Sequence, residues 1–505
     1  MKCVVVLIAF AVWISIVQAQ DPVLGPFPLT STSFPDYTGP AFNFNAYSGY
    51  ITVDEPGQRN NFYMHFTAVE DPENAPLVFW TNGGPGCSGL LGLFSEHGPF
   101  RANADGTLSL ADISWNKVAN MVYMEQPCGV GFSFQGQDIP GDQYESSDAQ
   151  AAMDNFNFIE GFLQTFPEYI GRPVWISGES YAGVYLPTLW DVILDHPTSN
   201  AFNQFTGAFL GNPVIACEEL NARDMVLNNL FWHGMVSQHT YNRWIKAGCQ
   251  AEPNTAECGL IFTKAFRSVG GVAQQLGTFE FNGTQPALNI DDLYHDFITA
   301  NGTLQYTLSL LPPESGGQIT TPMVDYLNRA DVQTSIHAQK PPAGEWSECT
   351  PGSVLSYNAT GASMIPSYQR LFEERPDVDI LVYSGDIDIA TVPMFYTTFC
   401  LETLNSDIVR EWGPWHVNGA AAGYVQTHRD FTYATARGGS HEVPTNIPYP
   451  AYYLFERFLK NRNLDGGEVF FPPPPSPQST EGPVRRHTQA DVMWEKDFYG
   501  IRDQE

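Results

Sequence analysis

The stretch "PVWISGESYAG", residues 173–183, sets one serine, Ser180, between small residues directly after a short apolar run. A strand that turns sharply into a helix holds the residue at the bend in strained backbone, and the close approach of strand and helix leaves room only for small neighbours. Gly178, Ala182 and Gly183 supply them. The pattern departs from strict G-x-S-x-G, because Ala182 stands at the second glycine position. The local reading is an exposed serine on a strand-to-helix bend, a candidate nucleophile whose partners must come from elsewhere in the chain.

Around this bend, apolar runs such as "PLVFW" (76–80) and "NMVYM" (120–124) alternate with longer patterns of helical period such as "SSDAQAAMDNFNFIEGFLQTF" (146–166). That is the rhythm of a mostly parallel sheet with crossover helices. "DILVYSGD" (379–386) resumes it, and "YPAYYLFERFLKNRNL" (449–464) closes it. Between 213 and 340 the rhythm breaks, and the stretch reads as a mainly helical cap inserted into an α/β core whose two parts are 20–212 and 341–467. From 468 to 505, "FFPPPPSPQST" and the charged residues after it read as a stiff, solvated, disordered tail.

Residues 1–19 combine a basic second residue, an apolar run of about 16 residues and a small-residue ending, the form of a secretory signal peptide. The run is short of the ~20 residues a bilayer span needs, so a stable membrane anchor is not expected. With 55 acidic against 24 basic residues, the net charge of −31 repels nucleic acid and suits an acidic compartment. Cys87, Cys128, Cys217, Cys249, Cys258, Cys349 and Cys400 follow the signal, an odd set whose spacing leaves the disulfide connectivity open. Asn282, Asn301 and Asn358 each begin an N-x-Thr sequon, so a glycosylated, secreted or lysosomal/vacuolar chain is expected.

A serine nucleophile needs an imidazole to take its proton and a carboxylate to orient that imidazole. In α/β-hydrolases the chain order is Ser, acid, His. "LVYSGDID" places either Asp386 or Asp388 at a strand end, and "ARGGSHEVP" puts His441 on a glycine-rich loop before a helix. "WTNGGPGCSGL" (80–90) follows a strand, and Gly83, Gly84 and Gly86 give it the freedom to aim a backbone amide at the serine; the amide of Tyr181 would complete an oxyanion hole. No HExxH or comparable ligand cluster occurs, so neither a metal nor a cofactor is expected.

Together "WTNGGPGCSGLLGLFSEHGPF", "SWNKVANMVYMEQPCGVGFSF", "ISGESYAGVYLP", "LVYSGDIDIATVP" and "GGSHEVP" make the chain resemble the serine carboxypeptidases from about residue 27 to 465. Thr81 and Cys128 stand where leucine and alanine are more usual. The resemblance implies an α/β-hydrolase fold, with Ser180 as nucleophile, His441 as base and Asp388 as the orienting carboxylate. It implies oxyanion amides on Gly84 and Tyr181, and recognition of the substrate's free carboxylate by Asn82, Glu96 and Glu179 with Trp80 in support. It further implies a disulfide from Cys87 to Cys349 and a cap disulfide from Cys249 to Cys258, and it pairs none of Cys128, Cys217 and Cys400.

Two glutamates meeting a carboxylate require a shared proton. A close, partly buried pair titrates together with at least one raised pKa, so that in acid a carboxyl can donate to the peptide's end. The expected activity is release of C-terminal residues from peptides and proteins in acid; Glu442 reads either as a negative charge near the pocket for the penultimate residue or as a solvent-facing glutamate at a helix start. The rivals are a family acyltransferase using glucose esters, where threonine and aspartate tend to replace Asn82 and Glu179, and a non-catalytic protective homologue. The reading leaves a homodimer open.

Overall fold

In the computed structural model, residues 24–460 are described apart from 55–57, 137–142, 218–221, 390 and most of 269–320. The expected signal peptide, the sequons at Asn282 and Asn301 and the tail 468–505 lie outside the described residues. Asn358 is described and exposed.

Eleven strands of a twelve-stranded sheet run in one path. In chain order they are β1 (Phe27–Leu29), β2 (Ala46–Asp54), β3 (Arg59–Phe66), β4 (Leu77–Thr81), β5 (Asn120–Met124), β6 (Val174–Glu179), β7 (Phe205–Gly211), β8 (Asp379–Gly385), β9 (Ile408–Val417), β10 (Ala420–His428) and β11 (Thr432–Ala436). Their spatial order is β1-β2-β3-β5-β4-β6-β7-β8-β11-β10-β9, and the twelfth strand, Phe134–Gln135, pairs with β3. The middle of the path, β5-β4-β6-β7-β8-β11, is parallel, whereas both flanks are antiparallel. The result is the α/β-hydrolase class of fold, with a mixed sheet. Strands β4, β5 and β6 are buried at every position, which is why each carries an apolar run (Leu77–Trp80, Met121–Met124, Val174–Ile176) instead of an alternating pattern.

Helix α1 (Asp148–Thr165) starts where the Ser147 hydroxyl accepts the Gln150 N–H at 3.3 Å. It packs with α2 (Ala182–Asp195) in one apolar cluster that includes Phe158, Phe162, Tyr185, Leu189 and Trp190. On the Phe209 side of β7, Phe455, which belongs to the closing helix Pro448–Leu459, stacks on Trp115 at 4.0 Å and lies 4.9 Å from Phe209.

Within 213–340, α3 (Ala222–Trp232), α4 (Gln238–Lys246) and α5 (Ala256–Ser268) enclose a small core of Leu227, Leu230, Trp244 and Phe262, clamped by the Cys249–Cys258 disulfide. Ile389 joins this cluster from the chain beyond β8. The last part of the stretch attaches elsewhere: Tyr326 donates to Pro35 O at 2.8 Å, and Ser48 donates to Ile336 O at 2.6 Å. Cys87 is bonded to Cys349 and Cys217 to Cys400, and Cys128 is a buried thiol. The Cys217–Cys400 bond settles a pairing that spacing left open. Among the described residues no helix is long and apolar enough to cross a membrane.

Candidate active site

Six polar groups of the core lie just past the carboxyl end of a parallel strand: Asn82 after β4, Glu125 after β5, Ser180 after β6, Asn212 after β7, Asp388 after β8 and His441 after β11. Open parallel sheets collect their ligands at that edge.

Ser180 sits at φ +61°, in the left-handed region that side chains other than glycine rarely occupy. Its N–H donates to Gly211 O at 3.0 Å, and its carbonyl accepts from Gly183 N and Val214 N, each at 2.9 Å. The bend is therefore held from β7, from α2 and from the segment after β7, which is what keeps a strained residue in place. The small neighbours are required by contact. A Cβ on Gly178 would meet Thr81 O at 2.4 Å, and one on Gly183 would meet Val214 O at 2.4 Å.

Of the two candidate acids, Asp388 is the one that meets the imidazole. His441 Nδ1 donates to Asp388 Oδ2 at 2.7 Å, and the two residues are 8% and 1% exposed, which keeps water from competing for this bond. Because the carboxylate only accepts, Nδ1 carries the proton and Nε2 keeps its lone pair. Asp388 also accepts from Asn212 Nδ2 (3.0 Å), Thr391 N (3.0 Å) and Val392 N (3.0 and 3.2 Å). Asp386 instead accepts the Gly438 N–H at 2.7 Å and serves the turn. Two asparagines absent from the sequence reading support this acid. Asn212 also takes the Gly385 N–H on its Oδ1 at 3.1 Å, and Asn229, on α3, donates to Asp388 O at 3.1 Å and Ile389 O at 3.0 Å.

The glycine-rich loop lies directly on the bend, for a Cβ on Gly83 would fall 2.3 Å from Tyr181 N and 2.8 Å from Ser180 Cβ. The loop is pinned through Cys87–Cys349, by Ser88 N donating to Glu348 O at 2.8 Å, and by Thr350 N donating to Gly86 O at 2.9 Å. Beneath it Glu125 accepts from Ser88 Oγ (2.6 Å), Phe132 N (2.6 Å) and Trp346 Nε1 (2.7 Å), and burial pushes its pKa up to about 7. Tyr181 is tethered by its phenol, which donates to Asp148 Oδ1 at 2.9 Å. Gly84 and Tyr181, the residues expected to carry the oxyanion amides, thus lie on two segments in contact.

The residues 92–96 form a π-helical turn in which His97 N–H bonds to Gly92 O at 3.0 Å, and this turn brings Glu96 towards the carboxyl end of β4. Asn82 Nδ2 donates to Glu96 Oε1 at 2.8 Å and to Glu179 Oε1 at 2.7 Å, while its Oδ1 accepts from Trp80 Nε1 at 2.8 Å and Gly92 N at 3.1 Å. Asn82, Glu96 and Glu179, expected to meet a free carboxylate, and Trp80, expected to support them, therefore form one buried network. Burial raises the Glu96 carboxyl to about 7, and burial together with the charges of Glu96 and Glu442 holds Glu179 well above the usual carboxylate range. The pair keeps a proton in acid. Among the described residues no group of three His, Cys, Asp or Glu side chains is arranged to hold a metal ion.

A strained serine after a buried parallel strand, an imidazole bound to a carboxylate and a glycine loop against the bend define an α/β-hydrolase with a serine-type site. The family model described as "Serine carboxypeptidase" matches residues 35–461. Serine carboxypeptidase-like 38 of Arabidopsis thaliana is 36% identical over 438 residues, covering 84% of each chain, and serine carboxypeptidase-like 36 of the same plant is 32% identical over 434 residues, covering 83% and 84%. The crystal structure of a prohormone-processing carboxypeptidase from Saccharomyces cerevisiae superposes with a TM-score of 0.63 at 22% identity, over 83% of this chain and 92% of that one. The chain belongs to the serine carboxypeptidase family.

Proposed function

We propose that the protein is an acid-active serine carboxypeptidase that removes C-terminal residues from peptides and proteins along the secretory pathway, in a secreted or lysosomal/vacuolar setting. The observation that carries this reading is the buried Asn82–Glu96–Glu179 network beside Ser180, a protonated carboxyl pair suited to an anionic chain end. Ser180 Oγ attacks the carbonyl carbon of the last peptide bond while His441 Nε2 takes its proton and Asp388 holds the resulting imidazolium. The oxyanion falls to the amides of Gly84 and Tyr181. On collapse His441 returns the proton to the departing amino group, which leaves an ester on Ser180, and water, deprotonated by the same imidazole, hydrolyses it.

Protonation of His441 limits the rate in acid, and loss of the shared proton limits binding at higher pH. KM for peptides with a free C-terminus is therefore expected to rise as pH passes about 7, the value to which Glu96 is pushed, and KM for C-terminally blocked substrates is not. Mass analysis of a peptide set incubated from acid to neutral pH, wild type against Ser180→Ala, checks both points. Stepwise loss from the C-terminus that disappears in Ser180→Ala supports the proposal. Equal pH dependence for free and blocked ends removes the carboxylate reading. Transfer from a glucose ester to an acceptor alcohol, without peptide cleavage, replaces the peptidase by the acyltransferase.

A further inference from the structure

Tyr383 stands in β8 in register with Gly211 of β7, which is itself in register with Glu179 of β6. In parallel strands, residues in register point to the same face and lie about 5 Å apart, so these three form a row across the sheet. Gly211 contributes no side chain to that row, and the outer edge of the Tyr383 ring lies over it: a Cβ at 211 would fall 2.7 Å from both Cζ and Oη of Tyr383. The phenol therefore reaches across the glycine towards the strand that carries Glu179.

Tyr383 is 4% exposed, and its hydroxyl is buried without a hydrogen-bond partner. A buried O–H left unmade is unfavourable, and each such group in a native protein calls for an explanation. The charged groups that bear on this place are those of the carboxyl pair. After burial, the charges of Glu179 and then Glu96 are what hold the phenol up, so it stays a donor throughout the working range. The pair in turn faces Glu442, which acts on Glu179, and His441 and Arg101, which act on Glu96. The amide protons of Asn82 are already committed to both glutamates. When the pair takes on charge, a further donor is needed, and Tyr383 is placed to supply it.

We propose that Tyr383 is a positioning residue of the carboxylate-recognition network, whose hydroxyl turns onto Glu179 when the Glu96–Glu179 pair ionises and thereby sets the pH at which the pair gives up its shared proton. The inference rests on the reading that this pair receives the substrate's free carboxylate. Donation to the ionised form favours it, so removing the hydroxyl delays ionisation.

The test is Tyr383→Phe, which keeps the ring over Gly211 and deletes only the donor. KM is measured against pH for a peptide with a free C-terminus and for the same peptide amidated, with fluorophosphonate titration of Ser180 and the melting temperature as controls for folding. The expected result is that the pH at which KM rises for the free-ended peptide moves up by about one unit, with no such movement for the amidated one. A variant that folds and titrates fully but shows the wild-type midpoint, a midpoint moved towards acid, or the same shift on both substrates overturns the proposal. If wild type itself does not distinguish the free from the amidated end, the parent reading has failed, an outcome separate from an unmoved midpoint.

Discussion

Asp388 shows how much support one carboxylate beside an imidazole receives. Its two oxygens take five hydrogen bonds, one of which is the bond to His441. Asp388→Asn is expected to lower kcat by about 10⁴-fold, since an amide offers the imidazole a donor where it needs an acceptor. Asn212→Ala removes a charge-assisted bond yet leaves the backbone donors, so a fall in kcat of about tenfold at nearly constant KM is expected from steady-state kinetics on one peptide. Ser180, the glycines around it and the 83–86 loop are local chemistry, visible as small residues at a bend. Asp386 and Asp388 are both plausible strand-end carboxylates, and only the fold shows that the first serves Gly438 N while the second meets His441. Asn212 and Tyr383 had no local signature, because what gives them a role is a partner on another strand.

Among the elements, helix α3 ties the inserted stretch to the acid. Asn229 spends its amide on the carbonyls of Asp388 and Ile389, and Ile389 enters the small core formed by α3, α4 and α5. Asn229→Ala leaves two buried carbonyls short of a donor behind the Asp388–His441 pair, so kcat is expected to fall about tenfold and the melting temperature to drop with it. On the far side, Cys217–Cys400 fastens the chain leaving β7 to helix Met394–Glu402, and Ala216, held at φ +48°, donates its N–H to the Tyr396 hydroxyl of that helix at 2.9 Å. Replacing both cysteines by serine is expected to destabilise the protein by about 2–5 kcal/mol in denaturant titrations. The strand and helix rhythm made the core legible from composition. The antiparallel flanks were not, since their neighbours are chosen by the sheet as a whole. Nor was the return of residues 321–336 to the body, because a break in periodicity marks where an insertion starts and says little about where its end is anchored.

Whole-molecule stability should follow the buried titratable groups. Glu96 and Glu125 are pushed up to about 7 and Glu179 well above its ordinary 4.5, so the folded chain holds their protons where the unfolded chain has released them. This stabilisation is complete below about 4.5 and is lost as pH rises through the folded values. Burial acts oppositely on histidine, lowering His65 to about 4 and His97 well below 6.5, so their stabilisation is present above 6.5 and is lost as pH falls. Between 4.5 and 6.5 the two sets offset each other, the shared proton of the Glu96–Glu179 pair and the proton of Glu125 against two imidazole protons. Above that window only the carboxyl contribution changes, at about 1.4 kcal/mol per pH unit for each proton, and the repulsion of 31 net negative charges adds to it. Melting temperatures are therefore expected to be highest between about pH 4.5 and 6.5 and to fall on both sides of that window. The same global view gives the long-range bridges a second meaning. Cys87 and Cys217 lie before the α3–α5 segment and their mates Cys349 and Cys400 after it, so a protease that severed the backbone anywhere between Cys258 and Cys349 would not release either piece. The nicked enzyme would run as one species on a non-reducing gel and as two after thiol treatment, with Ser180 on one fragment and His441 on the other.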